Sequence, residues 1–247
     1  MNAFRRLPQA LSERIHKRGW KNHRPKQRDF AETWTQAGPR GPNQDRLLAD
    51  EGTGLFAVFD GVGGLNFGGD AAQVARDDLA DLGSYLPKNI SAQSVLRDQT
   101  IQTNSTLYTA YEGQAATTLA GIYRVPEGLL VFHAGDSRVY RFRGGLLTRL
   151  TQDHRAGTQS QPQSGITRAL GATDRFTLET RLSSIAPQDT FLICSDGIHD
   201  CVPHRQLELL MGLTEGVSAQ SKAIAGFLNQ KGPHDDATFV LVPASAL

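Results

Sequence analysis

Leu55-Phe56-Ala57-Val58-Phe59-Asp60-Gly61 is an apolar run that ends on a carboxylate and a glycine, and Phe191-Leu192-Ile193-Cys194-Ser195-Asp196-Gly197 repeats the pattern later in the chain. A third acidic site, His234-Asp235-Asp236, stands directly before Ala237-Thr238-Phe239-Val240-Leu241-Val242. Runs of this length, rich in aromatic and β-branched side chains, predict buried strands. A carboxylate at the end of such a strand is desolvated on one side, which costs free energy unless a cation or hydrogen-bond donors compensate. Taken alone, an Asp-Gly pair is first a turn signal. Several acidic strand ends together point instead to a hard-metal site of oxygen ligands, suited to Mg²⁺ or Mn²⁺.

The 247 residues fit one large or two small domains with a substantial core, and 39% hydrophobic with 21% charged residues is ordinary for a globular chain. No stretch approaches the roughly 18 apolar residues of a membrane span. The amino terminus has no apolar signal core, so a cytoplasmic protein is expected. Cys194 and Cys201 cannot make a disulfide framework, and Cys194 reads as a small buried hydrophobe. The charge is uneven. Residues 1–28 carry nine Lys or Arg against Glu13, a balance of +8; with +1 for the whole chain, residues 29–247 hold −7. Phe4, Leu7, Leu11 and Ile15 recur at helical spacing in this arm. It reads either as a solvated leader or as a basic amphipathic helix facing an anionic surface or an acidic partner. Pro25 marks its boundary with the folded domain.

Beyond residue 29, a Gly/Pro-rich loop, Gly38 to Asp45, precedes the Leu55–Asp60 run. Ala71 to Leu86 predicts a helix that stops at Pro87, and Ser91 is the expected N-cap of a second helix reaching Tyr111. Short strands are expected over Thr117–Tyr123, Leu129–His133, Ser137–Phe142 and Leu146–Leu150, with Gly144-Gly145 as a hairpin turn. Ser218 to Asn229 predicts a helix burying Ala223, Ile224, Phe227 and Leu228, ended by Gly232-Pro233. Strands at both ends with a helix pair after the second predict an α+β layered sandwich, mostly antiparallel.

The order of short motifs carries a resemblance. Arg40-x-x-x-x-Asp45, Phe59-Asp60-Gly61-x-Gly63-Gly64, Ala116-Thr117-Thr118-Leu119 and Gly135-Asp136-Ser137-Arg138-Val139-Tyr140 are followed by Leu150-Thr151-Gln152-Asp153-His154, Thr167-Arg168-Ala169-Leu170-Gly171, Ser195-Asp196-Gly197-Ile198-x-Asp200 and Asp235-Asp236-Ala237-Thr238. Over residues 30–243 this resembles the metal-dependent Ser/Thr protein phosphatases of type 2C, in their shorter bacterial form. The resemblance implies a four-layer α/β/β/α sandwich, two mostly antiparallel sheets around a binuclear metal site. It implies Mn²⁺ or Mg²⁺, two ions with a place for a third, in a catalytic domain over 29–247. By the same resemblance Asp60 is expected to bridge both metals and the Gly61 carbonyl to ligate one, with Asp196 and Asp235 completing the protein ligands; Asp136 matches the position that, with Asp196, holds an additional metal. The resemblance also implies that Arg40 grips the phosphate and that Asp45 orients waters. The implied activity is hydrolysis of phospho-Ser/Thr in proteins, opposing a Ser/Thr kinase, with phosphoproteins as partners and no nucleic acid. His154, Arg138 and Arg168 are expected to brace the scaffold.

Four departures stand out. Gln44 occupies the place of a glutamate, which removes a charge near the second metal, and Asp236 replaces a common asparagine, which restores one. Val62 stands where eukaryotic members often carry a histidine proposed as general acid. Only the eleven residues Arg155 to Gly165 separate His154 from Ile166, a shortened flap that predicts an open site. The rival function is a phosphatase-like binding or scaffold domain without turnover; another two-metal phosphoesterase, such as a nuclease, is a third. Retention of Asp60, Asp196 and Asp235 favours the enzyme, because clustered carboxylates are costly in a pure binding module.

Overall fold

Every residue of the strand Leu55–Phe59 is buried, and successive side chains enter different cores. Leu55, Ala57 and Phe59 join Ala71, Ala72, Leu79, Leu96 and Leu107 from two helices. Phe56 and Val58 join Phe191, Ile193, Val240 and Val242 from a second sheet. Side chains alternate across a strand, so a strand covered on both faces has no polar side. That is why the sequence shows a continuous apolar run instead of an alternation.

The computed structural model describes residues 29–62, 67–89, 91–156, 165–213 and 215–247. The expected basic arm, 1–28, and residues 157–164 of the flap lie outside them. In chain order the elements are β1 (Glu32–Gln36), β2 (Arg46–Asp50), β3 (Leu55–Phe59), α1 (Gly68–Gly83), α2 (Ala92–Tyr111), β4 (Leu119–Val125), β5 (Gly128–Ala134), β6 (Arg138–Arg143) and β7 (Leu146–Arg149). Then come β8 (Glu179–Ser183), β9 (Thr190–Cys194), α3 (Asp196–Cys201), α4 (His204–Gly212), α5 (Val217–Lys231) and β10 (Ala237–Pro243). One sheet runs β1-β10-β9-β6-β7 and the other β2-β3-β4-β5-β8, every neighbouring pair antiparallel. Helices α1 and α2 cover the second sheet. The first sheet packs Leu192, Cys194, Phe239 and Leu241 against Ile198, Leu207, Met211, Ile224 and Leu228 from α3, α4 and α5. Three cores separate four layers, the α/β/β/α sandwich that the motifs imply.

The topology also gathers the acids. Register pairs Arg46 with Phe59, Phe239 with Cys194 and Arg138 with Cys194. The ends of β3, β5 and β9 therefore share one end of the sandwich with the starts of β2, β6 and β10. Asp45, Asp60, Asp136, Asp196 and Asp235 all sit at those strand ends.

Some local expectations needed correction. Helix α1 is shifted to Gly68–Gly83 from the expected Ala71–Leu86. Ser91 precedes α2 but is already helical (φ −66, ψ −15) and makes no side-chain cap; Asn89 Oδ1 accepts its N–H at 2.9 Å instead. The strand expected from Thr117 begins at Leu119, because Thr117 is held by bridges to Gly61 and Leu170. Strands β2 and β8 and helices α3 and α4 had no sequence-based expectation; β8, Glu-Thr-Arg-Leu-Ser, is a largely exposed edge strand without an apolar run to mark it.

Phe56 lies between the sheets with no exposed surface, whereas Leu146 is 66% exposed. Truncating a buried Phe to Ala costs about 3–5 kcal/mol. Phe56→Ala should lower the unfolding free energy by that amount in a denaturant titration, and Leu146→Ala should leave it nearly unchanged. Equal effects would contradict the layered core.

Candidate metal centre

Asp60 follows the last residue of β3, and its backbone is fixed before its side chain is considered. Its N–H donates to Thr118 Oγ1 at 3.2 Å, and its carbonyl accepts from Thr118 N at 2.8 Å and Thr117 Oγ1 at 3.0 Å. The Ala-Thr-Thr-Leu motif is thus a clamp on the Asp60 peptide. Gly61 comes next because the start of α1 approaches too closely for a side chain: a Cβ there would lie 2.6 Å from the Gly68 carbonyl group. Across the cleft, a Cβ on Gly197 would lie 2.1 Å from the Asp236 carbonyl oxygen, so only glycine lets α3 start against the loop before β10.

Carboxylate oxygens of Asp60, Asp136 and Asp196 lie within 4.8 Å of one another. Asp136, in the turn between β5 and β6, is fully buried; one of its oxygens accepts from Arg155 Nε at 2.6 Å and the other has no partner among the described residues. Asp196, the first residue of α3, accepts from Arg155 at 3.1 Å. Asp235 pairs with Arg40 at 3.0 Å, and both side chains are substantially exposed. Asp45 is buried and accepts from Ser195 Oγ at 2.7 Å, while its Oδ1 has no partner among the described residues. A cavity of about 80 Å³ lies among Arg40, Gln44, Gly61, Asp235 and Asp236. The expected site residues therefore converge, Arg40 at the rim and the acids beneath it.

Crowding shows in the acidities. Burial, then repulsion from Asp45, Asp196, Asp136 and Asp235, holds the Asp60 carboxyl well above the usual carboxylate range. Burial pushes Asp45 up to about 7, opposed by the Ser195 and Thr238 hydrogen bonds. Asp196 is pushed up to about 6 by burial and by Asp136. Like charges this close cannot all ionise without a cation. Two buried carboxylate oxygens without partners among the described residues, an all-oxygen donor set and mutual weakening of the acids fit a hard divalent ion.

The surrounding residues hold this geometry. Both oxygens of Asp236 accept backbone N–H groups, from Gly38 and Gln44, each at 2.7 Å. The charge expected to offset Gln44 thus fastens the loop that carries Arg40 and Asp45. Arg138 makes a two-point pair with Asp153 at 2.9 and 2.6 Å, a brace as expected. His133, His154 and Glu179 form a second group with donor atoms close together. It is a poor metal site: Gly135 N–H donates to His154 Nδ1, which places the proton of a neutral ring on Nε2, facing Glu179 at 3.1 Å. His154 thereby supports the Asp136 turn, and His199 Nε2 donates to the Asp136 carbonyl at 3.0 Å. Sequence reasoning missed Arg155 as a site residue. The only signal was a cation directly after the Asp153-His154 motif.

The Protein phosphatase 2C family model matches residues 39–229, and the chain belongs to that family. Among its relatives, the serine/threonine phosphatase stp of Listeria welshimeri is 27% identical over 210 residues, covering 76% of this chain and 83% of the relative. The solved structure of PppA from Pseudomonas aeruginosa superposes with a TM-score of 0.79 at 24% identity, over 86% of this chain and 96% of that one. The catalytic domain of the phosphatase PstP, solved with two manganese ions, gives 0.74 at 27% identity over 86% and 96%.

Weakened carboxyl acidities have a defined consequence for the metal-free protein. The unfolded chain releases these protons near 3.8, whereas folded Asp196 and Asp45 keep them to about 6 and 7. The folded state binds the protons more tightly, so this contribution to stability is complete below about pH 4 and lost as pH rises through 6 to 7. After chelation, the melting temperature should fall across that window and Mn²⁺ should restore it at neutral pH. A chelated protein that melts unchanged across the window would exclude the crowding.

Proposed function

We propose that the chain is a metal-dependent protein phosphatase that hydrolyses phosphoserine and phosphothreonine esters in proteins. The observation that carries this is the convergence of strand-end carboxylates, two with orphaned oxygens, beneath an exposed arginine. Mn²⁺ or Mg²⁺ would be held by Asp60, the Gly61 carbonyl, Asp196 and Asp235, with Asp136 on the Asp196 side. Bound there, a pair of ions neutralises phosphate charge and activates a water. A PstP structure with two manganese ions supports that composition.

The residues of the chain do the rest. Arg40, 66% exposed, swings from Asp235 to the phosphoryl oxygens, for which its planar fork is suited. Asp45, tied through Ser195 to β10, orients water from behind the cluster. Val62 borders a cavity of about 400 Å³ with Ala116, Ile166 and Ala169, next to Asp136 and Asp196, where the substrate side chain enters. Substrates are phosphoproteins of a Ser/Thr kinase pathway in the cytoplasm, and the excess positive charge of residues 1–28 suits an anionic surface or acidic partner as well as a solvated leader. No helix among the described residues is long and apolar enough to cross a membrane.

Hydrolysis of a phosphothreonine peptide with and without Mn²⁺ tests this reading. Asp60→Asn and Asp196→Asn should each abolish turnover and lower Mn²⁺ stoichiometry while circular dichroism stays native. A phosphopeptide bound tightly but never hydrolysed would instead establish the scaffold alternative.

Proton delivery gives an independent check. Val62 has no proton to donate, and both His154 and His199 are engaged with the Asp136 turn. Without a positioned acid, part of a roughly 10²–10⁴-fold contribution is lost. Single-turnover rates across substituted phenyl phosphates should rise steeply as the leaving group becomes more acidic. A flat dependence that turns steep in His154→Ala or His199→Ala would identify a histidine acid.

A further inference from the structure

Arg155 is the side chain most directly engaged with the acidic cluster. Its Nε lies 2.6 Å from Asp136 Oδ2, and a terminal nitrogen lies 3.1 Å from Asp196 Oδ2 and 4.0 Å from Asp200. The Asp136 side chain is wholly buried and Arg155 is 38% exposed, so charge pairing rather than packing holds the guanidinium there. Its backbone is anchored on both sides. His154 N donates to the Gly135 carbonyl at 2.9 Å, Thr167 N to the His154 carbonyl at 2.7 Å, and Arg155 itself bridges Ile166.

Two of the three clustered carboxylates, Asp136 and Asp196, are thus already spanned by one permanent cation. The planar fork makes directed, charge-assisted hydrogen bonds to both. We propose that Arg155 is the resident cation of the Asp136–Asp196 edge, standing where a further divalent ion would otherwise bind and limiting the chain to two. The inference rests on the metal-centre reading of Asp60, Asp196 and Asp235. A divalent ion and the guanidinium cannot share Asp136 Oδ2, because an ion of this class needs its oxygens at about 2.0–2.2 Å with no donor hydrogen between, so only Oδ1, which has no partner among the described residues, is left to an ion on this edge. Tethering also favours Arg155: a group on a short anchored segment competes at an effective concentration in the millimolar range or above. With only Asp136 and a shared Asp196 to offer, the edge is a weak divalent site against such a competitor.

Counting bound Mn²⁺ decides the matter without reference to turnover. Free Mn²⁺ is followed by electron paramagnetic resonance as the chelated protein is titrated. The wild type should bind two ions. Arg155→Ala should bind a third, about tenfold or more tighter than any third event in the wild type, and Asp136→Asn added to that variant should remove it. If alanine leaves Asp136 too poorly compensated to fold, Arg155→Gln keeps a donor for it and removes the charge, with the same expectation. Three ions in the wild type would overturn the proposal, as would a count of two in both Arg155 variants. Absence of Mn²⁺ binding to every form would overturn the metal-centre reading, and this inference with it.

Discussion

Repulsion among Asp45, Asp60, Asp136, Asp196 and Asp235 is the constraint to which the rest of the molecule answers. At 4 Å and an effective dielectric constant near 20, a pair of like charges repels by about 4 kcal/mol. Several such pairs rival the roughly 5–15 kcal/mol by which a domain is stable. The acids share one end of the sandwich, over three apolar cores that extend to β3, β9 and β10. Arg155 and Arg40 offset part of the charge from the protein itself. The remaining deficit is what makes the site a receptor for hard cations.

Rigidity around the cluster comes from backbone groups, which bear no net charge. Thr117 and Thr118 hold the Asp60 peptide, Asp236 fastens the loop before β2 through two N–H groups, and His154 and His199 secure the Asp136 turn. Each of these hydrogen bonds fixes where a carboxylate starts without itself neutralising one. The backbone positions of the acids are thus set by groups that make no use of a cation. Arg40 is the more exposed partner of its ion pair with Asp235, so cation exchange at the rim falls to it rather than to the scaffold.

Continuous apolar runs made the central strands legible in the sequence, because burial on both faces removes every polar position. Asp60 and Asp196 were conspicuous for the same reason: a carboxylate ending such a run has lost solvent on one side. Two edge strands were not legible. Strand β8 is exposed and polar, and β2 is only partly buried with a charged residue at each end; their strand character comes from hydrogen bonds to β5 and β3, which leave no mark in their own residues. Ser91 misled because a good capping residue does not cap when Asn89, two residues earlier, offers its oxygen first.

The sequence by itself determined the layered α+β architecture, the strand-end acids and the order of motifs that places the chain in its family. Composition and spacing suffice for the first two because each depends on the residue and its near neighbours along the chain, whereas the family placement rests on motif order across most of the chain. Tertiary structure alone decided that Asp236 fastens a loop, that His154 is committed to Gly135 and Glu179, and that Arg155 spans Asp136 and Asp196. Arg155 and Asp196 are 41 positions apart in the chain, and Gln44 and Asp236 are 192 apart. Pairings over such separations are set by the register of two antiparallel sheets, which no local pattern encodes.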